Sequence, residues 1–106
     1  SLLRRIAREA SEAEVMRAVS MDLSARARLA RMLISLRHHH GWVSENGDLM
    51  IKLPVSRKEL ASAIGTRPET ISRLIEAFEA DNIAYFTGRE VRVPDLDELL
   101  DEVEAI

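Results

Sequence analysis

No cysteine occurs among the 106 residues. That removes disulfide bridges, thiolate nucleophiles and cysteine-ligated zinc or iron–sulfur centres from this chain. The redox compartment is left open by that absence, and a cytoplasmic setting is expected. Long apolar runs are missing too: nothing approaches the roughly 18 residues that a membrane span needs, so no membrane association is expected. The opening stretch SLLRRIAREASEAE lacks the unbroken apolar segment of a signal peptide. It starts without methionine inside a helix-like pattern, so the chain is expected to be a fragment. Proline and glycine are scarce, at three and four, which makes each of them informative as punctuation.

What is present is enough for one small domain: 46% of the residues are apolar, which argues against disorder. The net charge of -3 taken alone argues against a nucleic-acid partner, but its distribution does not. From Lys52 to Arg73 five basic residues (Lys52, Arg57, Lys58, Arg67, Arg73) face two acids, Glu59 and Glu69. From Leu74 onward there are ten acids and two arginines, Arg89 and Arg92. A basic face on a mildly acidic domain is compatible with DNA binding.

Apolar spacing of three and four at Leu2, Leu3, Ile6, Ala10 and Ala13 predicts a helix over 2–17. Asp22 or Ser24 is expected to cap a second helix reaching about Arg37, with Ala27, Leu29, Ala30, Leu33, Ile34 and Leu36 as its apolar stripe. The arginines on its other side (Arg26, Arg28, Arg31, Arg37) read as a solvated face. Gly41 stops that helix. Trp42-Val43 and Leu49-Met50-Ile51 read as short strands joined across Ser44–Asp48, where Asn46-Gly47 is a tight-turn signal. Ser56-Arg57-Lys58-Glu59 has the form of a capping box and opens a short helix carrying Leu60, Ala61 and Ile64 inward. After Gly65, with a cap at Thr66 or Arg67, Pro68 begins a helix to Ala80 whose Ile71, Leu74, Ile75 and Phe78 share one face. Asp81-Asn82 ends it. Ile83–Phe86 and Glu90–Val93 form a hairpin around Thr87-Gly88-Arg89, and LDELLDEV reads as a terminal helix. No repeat or second domain is evident.

Two short helices separated only by Gly65-Thr66-Arg67 must cross steeply, so the second can protrude into a groove. Gly65 suits a left-handed or tightly turned backbone, and Ala61 suits the close crossing. The hairpin that follows supplies a wing. The fold class expected is therefore α+β, mainly helical: a winged helix-turn-helix with small β-hairpins. The alternative is a small α+β domain whose helices merely pack.

The residues Leu53-Pro54-Val55-Ser56-Arg57-Lys58-Glu59-Leu60-Ala61 and Ile64-Gly65-Thr66-Arg67-Pro68-Glu69-Thr70-Ile71-Ser72-Arg73-Leu74 carry a resemblance to the Crp/Fnr family of bacterial transcription regulators. It extends forward through Gly88–Val93 to Asp95 and Leu99, and backward through Ala27-Arg28-Leu29-Ala30. The resemblance implies an absent N-terminal sensor domain. Residues 1–21 would be a hinge or the end of a dimerisation helix, and 22–106 the DNA-binding domain. No cofactor is expected in this fragment, because any effector would sit in the absent part. Glu-x-x-Ser-Arg at Glu69, Ser72 and Arg73 is similar to the oxygen- and nitrogen-oxide-responsive branch, whose half-sites resemble TTGAT. Pro68 and Ser72 depart from the cyclic-AMP-responsive pattern.

On chemistry, Arg73 can offer a bidentate fork to guanine, Glu69 can accept from cytosine, and Ser72 is small enough to approach a base edge. A surface ion pair between Glu69 and Arg73 is the competing role for those two. Family resemblance makes Thr70 a phosphate contact alongside Ser56, Arg57 and Arg67, although Thr70 also fits a half-buried packing position. Arg89 at the wing tip is either a phosphate contact or a solvated turn residue. His38-His39-His40 read as helix-end cations rather than metal ligands, since neighbours on a helix diverge by about 100°. No residues combine a nucleophile, base and orienting group, so an enzyme is not expected.

Double-stranded DNA is thus the expected partner, read as a homodimer in the full-length protein, with the fragment a monomer or weak dimer. The alternative is a protein-interaction winged helix that binds no DNA. Resemblance further implies that the surface matching Trp42 and the turn after it contacts the RNA polymerase α subunit. This loop departs from the family pattern in length and chemistry, and Glu45 and Asp48 suit a basic partner. The alternative is a solvated hairpin with Trp42 buried in the core.

Overall fold

A computed structural model of the chain describes the backbone of residues 12–103 and the side chains from Ala25. It contains helix α1 (Glu12–His40), strands β1 (Gly41–Val43) and β2 (Leu49–Lys52), helices α2 (Arg57–Ala63) and α3 (Pro68–Ala80), strands β3 (Tyr85–Thr87) and β4 (Glu90–Val93), and helix α4 (Leu96–Val103). The class is α+β and mainly helical, as the sequence predicts.

The amino-terminal helices differ from expectation. One helix runs from Glu12 to His40 without a break at Asp22 or Ser24; the part of the expected first helix before Glu12 lies outside the described residues. Asp and Ser in a helix interior cost only about 0.5 kcal/mol each relative to alanine, and the surrounding Leu23, Ala25 and Ala27 are tolerant of helix. The helix ends at Gly41, a position only glycine fits: a Cβ there would lie 2.5 Å from the Arg37 carbonyl oxygen.

The two hairpins are also not separate. They join through β2 and β4 into one antiparallel sheet of order β1-β2-β4-β3. Alternation along the strands puts Ile51, Val91 and Phe86, which are partners across the sheet, on the buried face. The adjacent cross-strand row Trp42, Met50, Arg92 and Tyr85 belongs to the other face. Trp42 is 44% exposed, so it anchors no core. The Arg92 guanidinium lies 4.4 Å from the Tyr85 ring centre and reaches Asp48 at 3.4 Å. At the first hairpin, Ser44 N–H donates to Asp48 O and Gly47 N–H to Ser44 O, with Gly47 at φ 86°. This is a three-residue loop ending in a glycine bulge rather than a two-residue turn on Asn46-Gly47. In the second hairpin β3 begins at Tyr85; Ile83 and Ala84 are fully buried but precede the strand.

The core fills the space between α1, the helix pair α2–α3 and the inner sheet face. Leu29, Leu33, Ile51, Leu60, Ile71, Phe78, Ile83, Val91 and Leu99 are all at or near zero exposure. Helix α4 packs along α1. The arginines of α1 do not form a uniformly solvated face. Arg31 is exposed, but Arg26 is held by Glu102 and Asp81, and Arg28 Nε donates to the Ile64 carbonyl at 2.6 Å. All three partners are distant in sequence, which is why the helical pattern alone could not reveal them.

Candidate nucleic-acid interface

Helix α2 begins with a complete capping box. Ser56 Oγ accepts from Glu59 N–H at 3.1 Å, and Glu59 Oε1 accepts from Ser56 N–H at 2.9 Å. Its carboxy-terminal end turns through Gly65 at φ 73°, where Thr66 N–H bonds back to Ala61 O at 2.8 Å. No neighbour would crowd a Cβ on Gly65; the left-handed backbone is what favours glycine. Ala61, 1% exposed, belongs to the same buried cluster as Ile71 and Leu74 of the next helix.

Helix α3 starts at Pro68 with Arg67 as N-cap, and Arg67 makes no side-chain cap bond. Its first amides therefore lack a side-chain acceptor and can serve an anion, in line with the positive end of the helix dipole. Ile71, Leu74, Ile75 and Phe78 are buried, as their spacing predicts. Glu69, Ser72 and Arg73 are exposed and Thr70 is half-buried. The Glu69–Arg73 ion pair does not form. Arg73 Nη2 instead donates to Thr70 Oγ1 at 3.3 Å, three residues back on the helix. One turn further on, exposed Glu76 carries the sign that phosphate repels, so the face suited to DNA is confined to the first two turns.

A second cluster lies where the wing meets α2. Leu53 N–H donates to the Arg89 carbonyl at 2.8 Å, which brings the exposed Arg89 at the Gly88-Arg89 turn close to the capping box. Gly88 has φ 60° at the first position of this two-residue loop, as a type II′ connection requires. Ser56 is half-buried, whereas Arg57 and Lys58 are exposed beside it. Hydrogen bonds from Ser56, backbone and side chain, hold the Glu59 pKa below its ordinary value, and the positive charge of Arg89 adds to this. A depressed carboxylate stabilises the fold above its unfolded pKa and loses that contribution as pH falls through the folded one. Unfolding measured against pH is therefore expected to show an acid-side loss that Glu59→Gln removes. Ser56→Ala, which deletes the hydroxyl half of the box, should cost about 1 kcal/mol in urea titration.

Arg28 is a residue that sequence reasoning missed. With Arg67, Glu69, Thr70 and Arg73 it lines a shallow cleft between α1 and the start of α3. Its partner, a backbone carbonyl 36 positions away, leaves no pattern in the sequence. At the other expected surface, Glu45 is exposed at the hairpin tip and Trp42 lies nearby on β1, but Asp48 is half-buried and engaged by Arg92. Among the described residues, no three His, Cys, Asp or Glu side chains are arranged to hold a metal ion, and no helix is long and apolar enough to cross a membrane.

The profile of the Crp-like helix-turn-helix domain matches residues 27–102. The transcriptional activator FnrA of Stutzerimonas stutzeri is 31% identical over 96 residues, covering 89% of this chain and 38% of that protein. FnrL of Cereibacter sphaeroides, also a transcriptional activator, is 31% identical over 83 residues, covering 74% of this chain and 34% of that protein. The chain thus spans little more than a third of either relative. Among solved structures, a CooA variant from Carboxydothermus hydrogenoformans superimposes with a TM-score of 0.66 at 28% identity, over 73% of this chain and 35% of that one. A CRP-family transcriptional regulator from Thermus thermophilus gives 0.66 at 25% identity, over 96% of this chain and 53% of that one.

Proposed function

Because this chain belongs to the Crp-like helix-turn-helix family of DNA-binding transcription regulators, we propose that it reads double-stranded DNA by placing α3 in the major groove of a TTGAT-like half-site. The observation that carries this reading is the exposed trio Glu69, Ser72 and Arg73 on the first two turns of a helix whose other face is fully buried. Arg73 serves as the guanine fork, Glu69 as a cytosine acceptor, and Ser72 as the small residue that permits close approach. Arg67, Thr70, Ser56, Arg57 and Arg89 supply phosphate contacts that fix the register. Membership of a family of non-enzymatic regulators makes the chain no enzyme.

Titration against duplexes with a paired TTGAT-like site and with the same bases scrambled tests the reading. Tighter binding to the matched duplex is expected. Equal affinity for both, with a dimer present at modest salt, would overturn sequence-specific reading and favour a winged helix that binds protein instead.

Residues before Asp22 are assigned in this proposal to a hinge or the end of a dimerisation helix, and those from Asp22 to the DNA-binding domain. The unbroken course of α1 from Glu12 supports a rigid connection between the two. Paired recognition helices on a two-fold operator stand about 34–36 Å apart or a multiple of it, and in this proposal the residues before Asp22 supply only the hinge or the end of the helix that holds that distance. Sedimentation is expected to find a monomer or weak dimer. A tight, concentration-insensitive dimer would contradict that.

The β1–β2 tip is proposed as a surface for the RNA polymerase α subunit, supported by its exposed Trp42 and Glu45. Since Asp48 is tied to Arg92, its reversal would also set two cations together. Glu45→Lys is the cleaner probe. In the full-length regulator it should lower activated transcription with DNA occupancy intact, and unchanged transcription would remove the electrostatic contact.

A further inference from the structure

Glu102 is 1% exposed, the one buried charged residue among the described residues, and it meets Arg26 through two hydrogen bonds: Nε to Oε2 at 2.8 Å and Nη2 to Oε1 at 3.1 Å. The same Nη2 reaches Asp81 Oδ2 at 2.7 Å, and the guanidinium carbon lies 5.0 Å from the Phe78 ring centre. One side chain of α1 therefore grips both α4 and the carboxy-terminal end of α3. We infer that Arg26 and Glu102 are positioning residues for DNA reading, forming a latch that fixes the tilt of α3 from the end remote from the bases. This rests on the DNA-reading function proposed above.

Two independent features support a role beyond cohesion. A buried ion pair is a poor source of stability, because desolvating both charges offsets most of their attraction and apolar replacements are often at least as stable. What such a pair fixes well is geometry, here through a planar fork with directional donors. The second feature is Asp81 itself. It is the C-cap of α3, at the negative end of the helix dipole, and the last turn of α3 holds no basic residue. A carboxylate there is electrostatically adverse. Arg26 supplies the cation that α3 lacks, so the terminus of the recognition helix is tied to α1 by charge.

The leverage is considerable. Thirteen residues span about 20 Å, so a tilt of about 3° pivoted at Asp81 moves the amino-terminal end by roughly 1 Å. Hydrogen bonds to base edges do not survive such a shift.

The test uses the 106-residue chain, whose lack of cysteine allows a clean spin-label pair at the exposed positions Arg31→Cys on α1 and Glu76→Cys on α3. Arg26→Met with Glu102→Met removes the buried charges together. A melting temperature near that of the parent is expected, because relief from desolvating the buried pair offsets the cation lost beside Asp81, with a shifted or broadened label distance. In the unlabelled chain, the ratio of scrambled to matched Kd should fall at least tenfold. Arg26→Lys keeps the charge but not the fork, and should lie between parent and double variant in both readouts. The inference is overturned if the folded variants keep the parental distance distribution, or if the distance changes while discrimination does not. Should the parent itself fail to discriminate between duplexes, the DNA-reading proposal falls, while the distances still decide whether the latch sets the tilt of α3.

Discussion

Alanine at Phe78 is expected to cost about 3–5 kcal/mol of folding stability, the range seen when a large buried aromatic is truncated. Phe78 is fully buried on the inner face of α3, and its ring underlies the Arg26 guanidinium. Its backbone also organises the exit from the helix: Ile83 N–H bonds to the Phe78 carbonyl at 2.8 Å, with Asn82 in the left-handed region at φ 58° between them. A void here would loosen the recognition helix, the turn into β3 and the floor of the ion cluster together. Since small domains are stable by only about 5–15 kcal/mol, the loss is a large fraction of the total and should lower the unfolding midpoint clearly. Urea unfolding followed by circular dichroism provides the check; a midpoint within a few tenths molar of the parent would mean that the site collapses around the void.

Arg73→Ala is expected to lose about 1–3 kcal/mol of discrimination at one base pair, roughly a five- to 150-fold change in the ratio of matched to mismatched Kd. The guanidinium is exposed, and one of its donors already rests on Thr70 Oγ1 rather than on the Glu69 carboxylate. Arg73→Lys should not restore the discrimination, because an ammonium cannot make the two parallel bonds of the fork. Arg57→Ala is the contrasting variant: it should weaken binding to all sequences alike and lower the slope of affinity against salt by about one phosphate contact. If both variants lost affinity equally on matched and scrambled duplexes, the division between base-reading and phosphate-positioning residues would be wrong.

The helix-turn-helix was legible because its signals are local. Ser56 and Glu59 cap each other across three residues, Gly65 is set by its own backbone angle, and Pro68 stands at the first position of its helix. Each is encoded within one turn of where it acts. The features that escaped are non-local. Nothing near Leu49–Lys52 marks its pairing with Glu90–Val93. Arg26 and Glu102 lie 76 positions apart, and on a helical pattern Arg26 looks like any solvent-facing arginine. The choice of Thr70 over Glu69 by Arg73 is of another kind: both acceptors are within reach on the same helix, and only side-chain conformation decides. The unbroken α1 escaped because Asp22 and Ser24 are good caps that a tolerant helical neighbourhood can simply absorb.

The pairing of β2 with β4 has a consequence for how this reading unit can be handled. Lys52 and Glu90 are cross-strand partners, and just inside them Leu53 N–H meets the Arg89 carbonyl at 2.8 Å. The stretch 53–89, which holds both helices of the motif and the wing turn, therefore enters and leaves through two adjacent backbone positions. A segment with neighbouring ends can be exchanged as a cassette, provided that the replacement also keeps the buried contacts with α1 and the pairing of β3 with β4. Transplanting 53–89 from a relative onto the strands and α1 of this chain should carry that relative's operator preference with it, while the ladder between β2 and β4 serves as the splice.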